Sequence, residues 1–184
     1  LNQNLHARAD LYDEVDGPVL AGVDFALLRR EFRAARDRRA HRPVAHGRVV
    51  LLTGGTDPED VGSALVRETE ARWPGPARFV TTSANPNLNE LPGNAVDIVV
   101  DSPDLSEHLE WADVAVSAAG STTWELCCLG VPTVLVSLAD NQDPIAATLD
   151  EAGVALSAGR AVPTGDCRVR SPFHPFSRSR NRFD

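Results

Sequence analysis

The chain predicts an α/β fold, a Rossmann-like parallel sheet with helices on both faces, and three observations carry that expectation. Short apolar runs such as Val49-Val50-Leu51-Leu52, Val114-Ala115-Val116 and Thr133-Val134-Leu135-Val136 recur between residues 48 and 157, as strands buried on both faces do. Helical patterns alternate with them, which calls for right-handed crossovers between parallel neighbours. The polar turns Gly54-Gly55-Thr56-Asp57, Gly120-Ser121-Thr122-Thr123 and Ala139-Asp140-Asn141-Gln142 each follow an apolar run. In such a sheet all three fall on one rim, at the carboxyl ends of the strands, where ligands collect.

In chain order, the pattern places strands at 48–53, 77–82, 95–100, 113–118, 132–138 and 153–157, and helices at 58–72, 106–112, 122–129 and 144–151. Asp57 before Pro58 reads as a helix cap and not as a catalyst. Upstream, a turn at Gly17-Pro18 precedes an arginine-rich helix around 27–39, with Leu27, Leu28, Phe32 and Ala35 as its apolar members. Three segments follow: residues 1–42 as the remnant of a preceding domain with an interdomain helix, 43–159 as the Rossmann-like domain, and 160–184 as a disordered or aberrant tail. In that tail Pro163, Gly165, Pro172 and Pro175 interrupt the chain and no apolar period survives.

At 184 residues the chain holds one good core. Its hydrophobic content of 42% and charged content of 24% are those of a globular protein. No apolar run approaches the roughly 18–20 residues of a membrane span, so no membrane is expected. A net charge of −8 argues against a general nucleic-acid binder. Small anions stay open, because helix termini bind phosphate whatever the net charge. Cys127 and Cys128 lie inside an apolar helix and, with Cys167, make no metal spacing; they read as reduced core residues of a cytoplasmic protein. No metal and no cofactor are expected. The first residues, Leu1-Asn2-Gln3-Asn4-Leu5, are neither a start nor a signal peptide, and the chain reads as a fragment.

The most informative stretch runs from Ala112 to Pro132. Val114 and Val116 supply a strand, Gly120 a close turn, and Ser121, Thr122 and Thr123 a helix start whose free N–H groups and hydroxyls suit a diphosphate. Glu125, on the first turn, is placed to accept hydrogen bonds from a ribose diol. The same residues also read as an ordinary capped helix start.

Taken together, Asn2-Gln3-Asn4, Phe25-Ala26-Leu27-Leu28-Arg29-Arg30-Glu31-Phe32, the segment 53–58, the segment 117–128 and Leu138-Ala139-Asp140-Asn141-Gln142 resemble one family. It is the UDP-2,4-diacetamido-2,4,6-trideoxy-β-L-altropyranose hydrolases of pseudaminic acid biosynthesis, related to spore-coat polysaccharide proteins and to two-domain glycosyltransferases. The likeness extends to about residue 159. It implies the C-terminal half of a type-B glycosyltransferase fold, which grips UDP, while an amino-terminal domain with the histidine that activates water is missing from this chain. His6, His41, His46, His108 and His174 sit in no motif that replaces it and read as surface or loop residues.

The resemblance further implies that Arg29 reaches the nucleotide sugar, that Gly55, Ser121 and Thr122 line the diphosphate, and that Glu125 holds the ribose. Asn141 and Gln142 would face the sugar, with Asn141 orienting the attacking water. The residues themselves leave other readings open: Arg29 as a helix-surface charge, Asn141 as a cap, Gly54 and Gly55 as turn formers. The implied reaction is hydrolysis of the UDP-sugar. The alternatives are the C-terminal domain of a UDP-sugar glycosyltransferase and a non-catalytic nucleotide-binding remnant.

Overall fold

The computed structural model describes residues 1–14, 16–41 and 47–161. Six strands form one parallel sheet: β1 (Val49–Leu52), β2 (Ala77–Thr81), β3 (Val96–Val100), β4 (Val114–Ala118), β5 (Thr133–Ser137) and β6 (Leu156–Arg160). Their order is β3-β2-β1-β4-β5-β6, that of a Rossmann sheet, and the expected fold class is the one observed. Val49 stands opposite Ala77 on one side and Val114 on the other. The build therefore changes direction between β1 and β4, and a crevice opens at their carboxyl ends.

Among the described residues five α-helices accompany the sheet: α1 (Arg30–Ala40), α2 (Val61–Arg72), α3 (Leu105–Trp111), α4 (Thr122–Leu129) and α5 (Asp143–Glu151). Alternation along β1 decides which helices each face meets. Val49 and Leu51 pack with Val61, Leu65 and Val66 of α2. Val50 and Leu52 pack with Phe32 and Ala35 of α1, Leu109 of α3, and Leu126 and Leu129 of α4. Leu135 joins Trp124, Ile145, Ala146 and Leu149, which seats α5 beside α4. Phe32, Phe79, Leu51, Leu109, Leu126 and Leu135 are fully buried, each contributing about 1.5–3 kcal/mol of transfer free energy.

Four expectations shift. The first helix begins at Arg30, so Leu27 and Leu28 precede it; Leu27 is 72% exposed, whereas Leu28 packs against the Trp124 cluster. α2 begins at Val61 and not at residue 58, because Asp57 (φ 38°) and Asp60 (φ 52°) are left-handed and cannot start a right-handed helix. Asp57 still caps it: the buried carboxylate accepts from the N–H groups of Val61 at 3.2 Å and Gly62 at 2.8 Å. β6 starts three residues late, because Gly153 (φ 69°) ends α5 and the N–H groups of Val154 and Ala155 turn back to the Leu149 carbonyl. Cys127 is exposed on α4 and is not a core residue, whereas the half-buried Cys128 packs at the edge of the Phe32 cluster. His46, Cys167, His174 and nearly all of the expected tail lie outside the described residues.

Candidate functional site

A cleft of about 380 Å³ opens at the carboxyl rim, at the change of direction between β1 and β4. Its floor and one wall are apolar, from Leu52, Val80 and Leu105. Gly54 and Gly55 after β1, Thr81 and Thr82 of and after β2, Asp101 and Ser102 after β3, and Thr122 at the start of α4 supply the rest. The glycine turn approaches closely: the Thr82 hydroxyl donates to the Gly55 carbonyl at 2.7 Å, and a Cβ on Gly55 would stand 3.3 Å from the Thr82 side chain.

Three helix starts reach this rim from the strands that form the cleft, and they differ in how their N–H groups are used. α2 is closed by Asp57. Burial pushes the Asp57 carboxyl up, against the hydrogen bonds from Gly62 and Val61. α3 is closed by Asp104, whose carboxylate accepts from the Ser106 N–H at 2.8 Å and is held below the usual carboxylate range mainly by Ser106. At α4 no side chain caps the helix: Ser121 is itself helical (φ −62°, ψ −31°), exposed, and makes no cap hydrogen bond. The Thr123 N–H turns back to the Gly120 carbonyl at 3.1 Å and Glu125 sits in the first turn, but no side chain takes the N–H groups at that end of the helix, which faces the rim.

Glu125 lies one turn along α4, its side chain 15% exposed. Burial pushes its carboxyl up, and the neighbouring Arg29 guanidinium opposes that rise. Arg29 Nη2 donates to Glu125 Oε1 at 3.3 Å, its Nη1 lies 3.1 Å from Glu31, and the guanidinium sits 5.0 Å from the Phe32 ring centroid. Arg29 immediately precedes α1, in extended backbone. The packing of Phe32 beneath α4 is what carries Arg29 to Glu125.

Of the residues expected from sequence, the structure brings Gly55 and Thr122 into one cleft, with Ser121 and Glu125 on the same helix start and Arg29 on Glu125. Asn141 and Gln142 stand apart from that cleft lining, in a 3₁₀ turn (Asp140–Gln142) at the carboxyl end of β5. Asn141 is exposed, while Gln142 Oε1 accepts from the Leu138 N–H at 2.8 Å, closing its own loop. Arg160 at the end of β6 ties this turn through Asp140 and Asp143, at 2.5 and 2.8 Å.

Thr82, Asp101 and Ser102 were missed by the sequence reading, although Asp101 and Ser102 directly follow β3 and the carboxyl-end rule would have found them. His108 is half-buried on α3 against Ser102 and Arg78, which corrects its reading as a surface or loop residue. Among the described residues no group of three or more His, Cys, Asp or Glu side chains is arranged to hold a metal ion. Among them, too, no helix is long and apolar enough to cross a membrane.

Residues 49–161 match the glycosyltransferase family 28 C-terminal domain. The chain belongs to that family. This family 28 domain is also similar to the spore coat polysaccharide biosynthesis protein SpsG of Bacillus subtilis (strain 168), with 26% identity over 161 residues, 83% of this chain and 47% of the relative. The chain thus spans about half the length of the curated relative it matches. Among solved structures it resembles the glycosyltransferase SnogD from Streptomyces nogalater (21% identity, 78% of this chain, 36% of that one, TM-score 0.46). A second is the glycotransferase of kitacinnamycin (26% identity, 66% and 33%, TM-score 0.48).

Proposed function

We propose that the family 28 domain binds the UDP moiety of a nucleotide sugar, with the diphosphate at the start of α4. The uncapped α4 helix beside the Gly54-Gly55 turn carries this reading, since it is the helix start at the cleft whose N–H groups are not taken by an aspartate. Ser121 and Thr122 add hydroxyl donors there, and Gly55 lets the phosphates approach the backbone. Glu125 accepts from the ribose diol, and Arg29, already on Glu125, turns one donor pair toward phosphate. The exposed Asp101 carboxylate repels phosphate from the far end of the cleft, so the nucleoside occupies the apolar part between Leu52, Val80 and Leu105.

The finer reading is hydrolysis of UDP-2,4-diacetamido-2,4,6-trideoxy-β-L-altropyranose: water attacks the anomeric carbon, the bond from that carbon to the diphosphate oxygen breaks, and UDP departs. The α4 terminus and Arg29 would stabilise the charge that develops on UDP. A base for water comes in this reading from an amino-terminal domain, and Asn141 orients the water. The resemblance across five segments, from Asn2 to Gln142, supports it. Family 28 membership favours a second reading, transfer of the sugar to an acceptor. The deciding experiment follows UDP release from the nucleotide sugar, by a chain carrying both domains, with and without acceptor. Release that is independent of acceptor supports hydrolysis, and strict dependence on acceptor supports transfer.

A further inference from the structure

Behind the cleft wall a line of hydrogen bonds runs from β2 to Ser102. The Arg78 guanidinium lies 4.1 Å from the Trp111 ring centroid, and its Nε is 3.4 Å from Asp97 on β3. Held on two sides, Arg78 directs Nη1 at His108 Nδ1, 3.4 Å away. An arginine only donates, so Nδ1 carries the lone pair and the ring proton sits on Nε2. Nε2 is 2.8 Å from Ser102 Oγ, and the Ser102 hydroxyl spends its own proton on the Asp104 carbonyl at 3.2 Å. Every donor in the line points the same way, and at its end Ser102 Oγ has no proton left for the cleft it lines.

We propose that His108 is a positioning residue: its Nε2–H fixes Ser102 Oγ on the cleft wall as a hydrogen-bond acceptor, selecting ligands that present an N–H or O–H donor there. The inference rests on the reading of this cleft as the nucleoside end of a UDP site. It makes binding depend on the protonation of His108. A proton on Nδ1 would face the Arg78 guanidinium, stacked on Trp111 and paired with Asp97, and that repulsion would loosen the ring from Ser102. The charged groups around the ring are Arg78 from β2, Asp97 from β3, Asp104 at the N-cap of α3 and Glu107 within it, while Arg38 of α1 is engaged by Glu110. Burial, and then Arg78, hold the imidazole below its ordinary value despite the three carboxylates. The neutral ring is therefore the form present at neutral pH and above.

The test is calorimetric titration of UDP, at pH 7.5 and at the lower pH where ¹⁵N imidazole spectra show His108 protonated, into the intact chain, Ser102→Ala, His108→Ala, His108→Gln and the Ser102→Ala/His108→Ala pair. Ser102→Ala and His108→Ala are each expected to weaken UDP about three- to tenfold, the worth of one hydrogen bond. The pair should be no weaker than Ser102→Ala alone, because His108 acts only through Ser102. Glutamine keeps a donor near Nε2 and does not titrate, so His108→Gln should stay within about twofold of wild type at pH 7.5 and bind better than wild type at the pH where the spectra show His108 protonated; the ratio at each pH removes the titration of UDP and Glu125. Full affinity in His108→Ala, additive losses in the pair, or an Nδ1–H tautomer would overturn the proposal. Should UDP bind to no variant and not to wild type, the nucleotide reading fails instead. The spectra then decide His108 separately: an Nε2–H resonance that moves in Ser102→Ala supports the line to the cleft, and an Nδ1–H resonance sinks it.

Discussion

Glu125 carries opposite demands in one carboxyl group: burial favours its neutral form, and the proposed contact to a ribose diol needs the carboxylate. Replacing it with alanine should weaken UDP binding by about 1–3 kcal/mol. The fold should survive, because the residue stands at a helix start and not in the core, and circular dichroism read beside calorimetry separates the two effects. The sign of the pH dependence follows from the raised value. Carboxylate, and with it the diol contact, is lost as pH falls through a pKa above the ordinary Glu range, so the affinity ratio of wild type to Glu125→Gln should decline toward one on acidification. Gly62 supplies a second residue-scale test. A Cβ there would stand 2.5 Å from both Asp57 Oδ2 and Phe79 Cζ, and Phe79 is fully buried and cannot move aside. Gly62→Ala should cost about 1–3 kcal/mol in denaturant unfolding, and a change within a few tenths would show that Asp57 gives way.

At the scale of the element, α4 differs from α2 and α3 through its neighbours more than through its own residues. All three begin with acidic or hydroxyl side chains nearby, yet Asp57 and Asp104 fold back on their helices while Ser121 stays in the helix and caps nothing. If the second phosphate sits on that open end, UDP should bind the chain more tightly than UMP. Equal affinities by calorimetry would count against a diphosphate at α4. α1 is the element that delivers Arg29, and its anchor is Phe32, with no exposed surface between α3 and α4. Phe32→Ala should cost about 3–5 kcal/mol of stability. A milder Phe32→Leu, which keeps the fold, should still weaken UDP by letting Arg29 drift from Glu125. Unchanged UDP affinity in that folded variant would detach α1 from the site.

For the molecule as a whole, the cleft lies beside the point where the sheet changes its direction of build, lined mostly from the β1, β2 and β3 side, with Thr122 at the start of α4 reaching it from the other side. In the proposed reading, one domain of this kind grips the nucleotide and leaves the transferred or released sugar facing outward from its rim. Residues 1–184 alone are therefore expected to bind UDP and to release little of it from the nucleotide sugar. A chain carrying an amino-terminal domain ahead of this one should gain the 10²–10⁴-fold that a positioned base contributes. The measurement is coupled detection of UDP, with Asn141→Ala introduced into the two-domain chain. Turnover by residues 1–184 at the two-domain rate would sink this division of labour, and an unaffected Asn141→Ala would remove Asn141 from the chemistry.

What the sequence determined by itself was whatever is written in near-neighbour patterns. Short apolar runs marked the five strands from β1 to β5, 3.6-residue periodicity marked the helices between them, and glycine with Ser, Thr or Asp marked the turns that became the rim. Glu125 and Thr122 were legible because their places depend on a single helix start. The tertiary structure decided contacts between residues far apart in the chain. Arg29 meets Glu125 across 96 residues, and His108 meets Arg78 across 30. No local pattern encodes either pair, since each exists only because buried side chains bring two elements together. It also decided where the helices begin: Asp57 and Asp60 adopt left-handed backbone that non-glycine residues seldom take, and Asp57 is held there by the two N–H groups its buried carboxylate receives. Which helix start stays open for a ligand was settled by that packing, because a cap forms or fails according to where the backbone lets an aspartate turn.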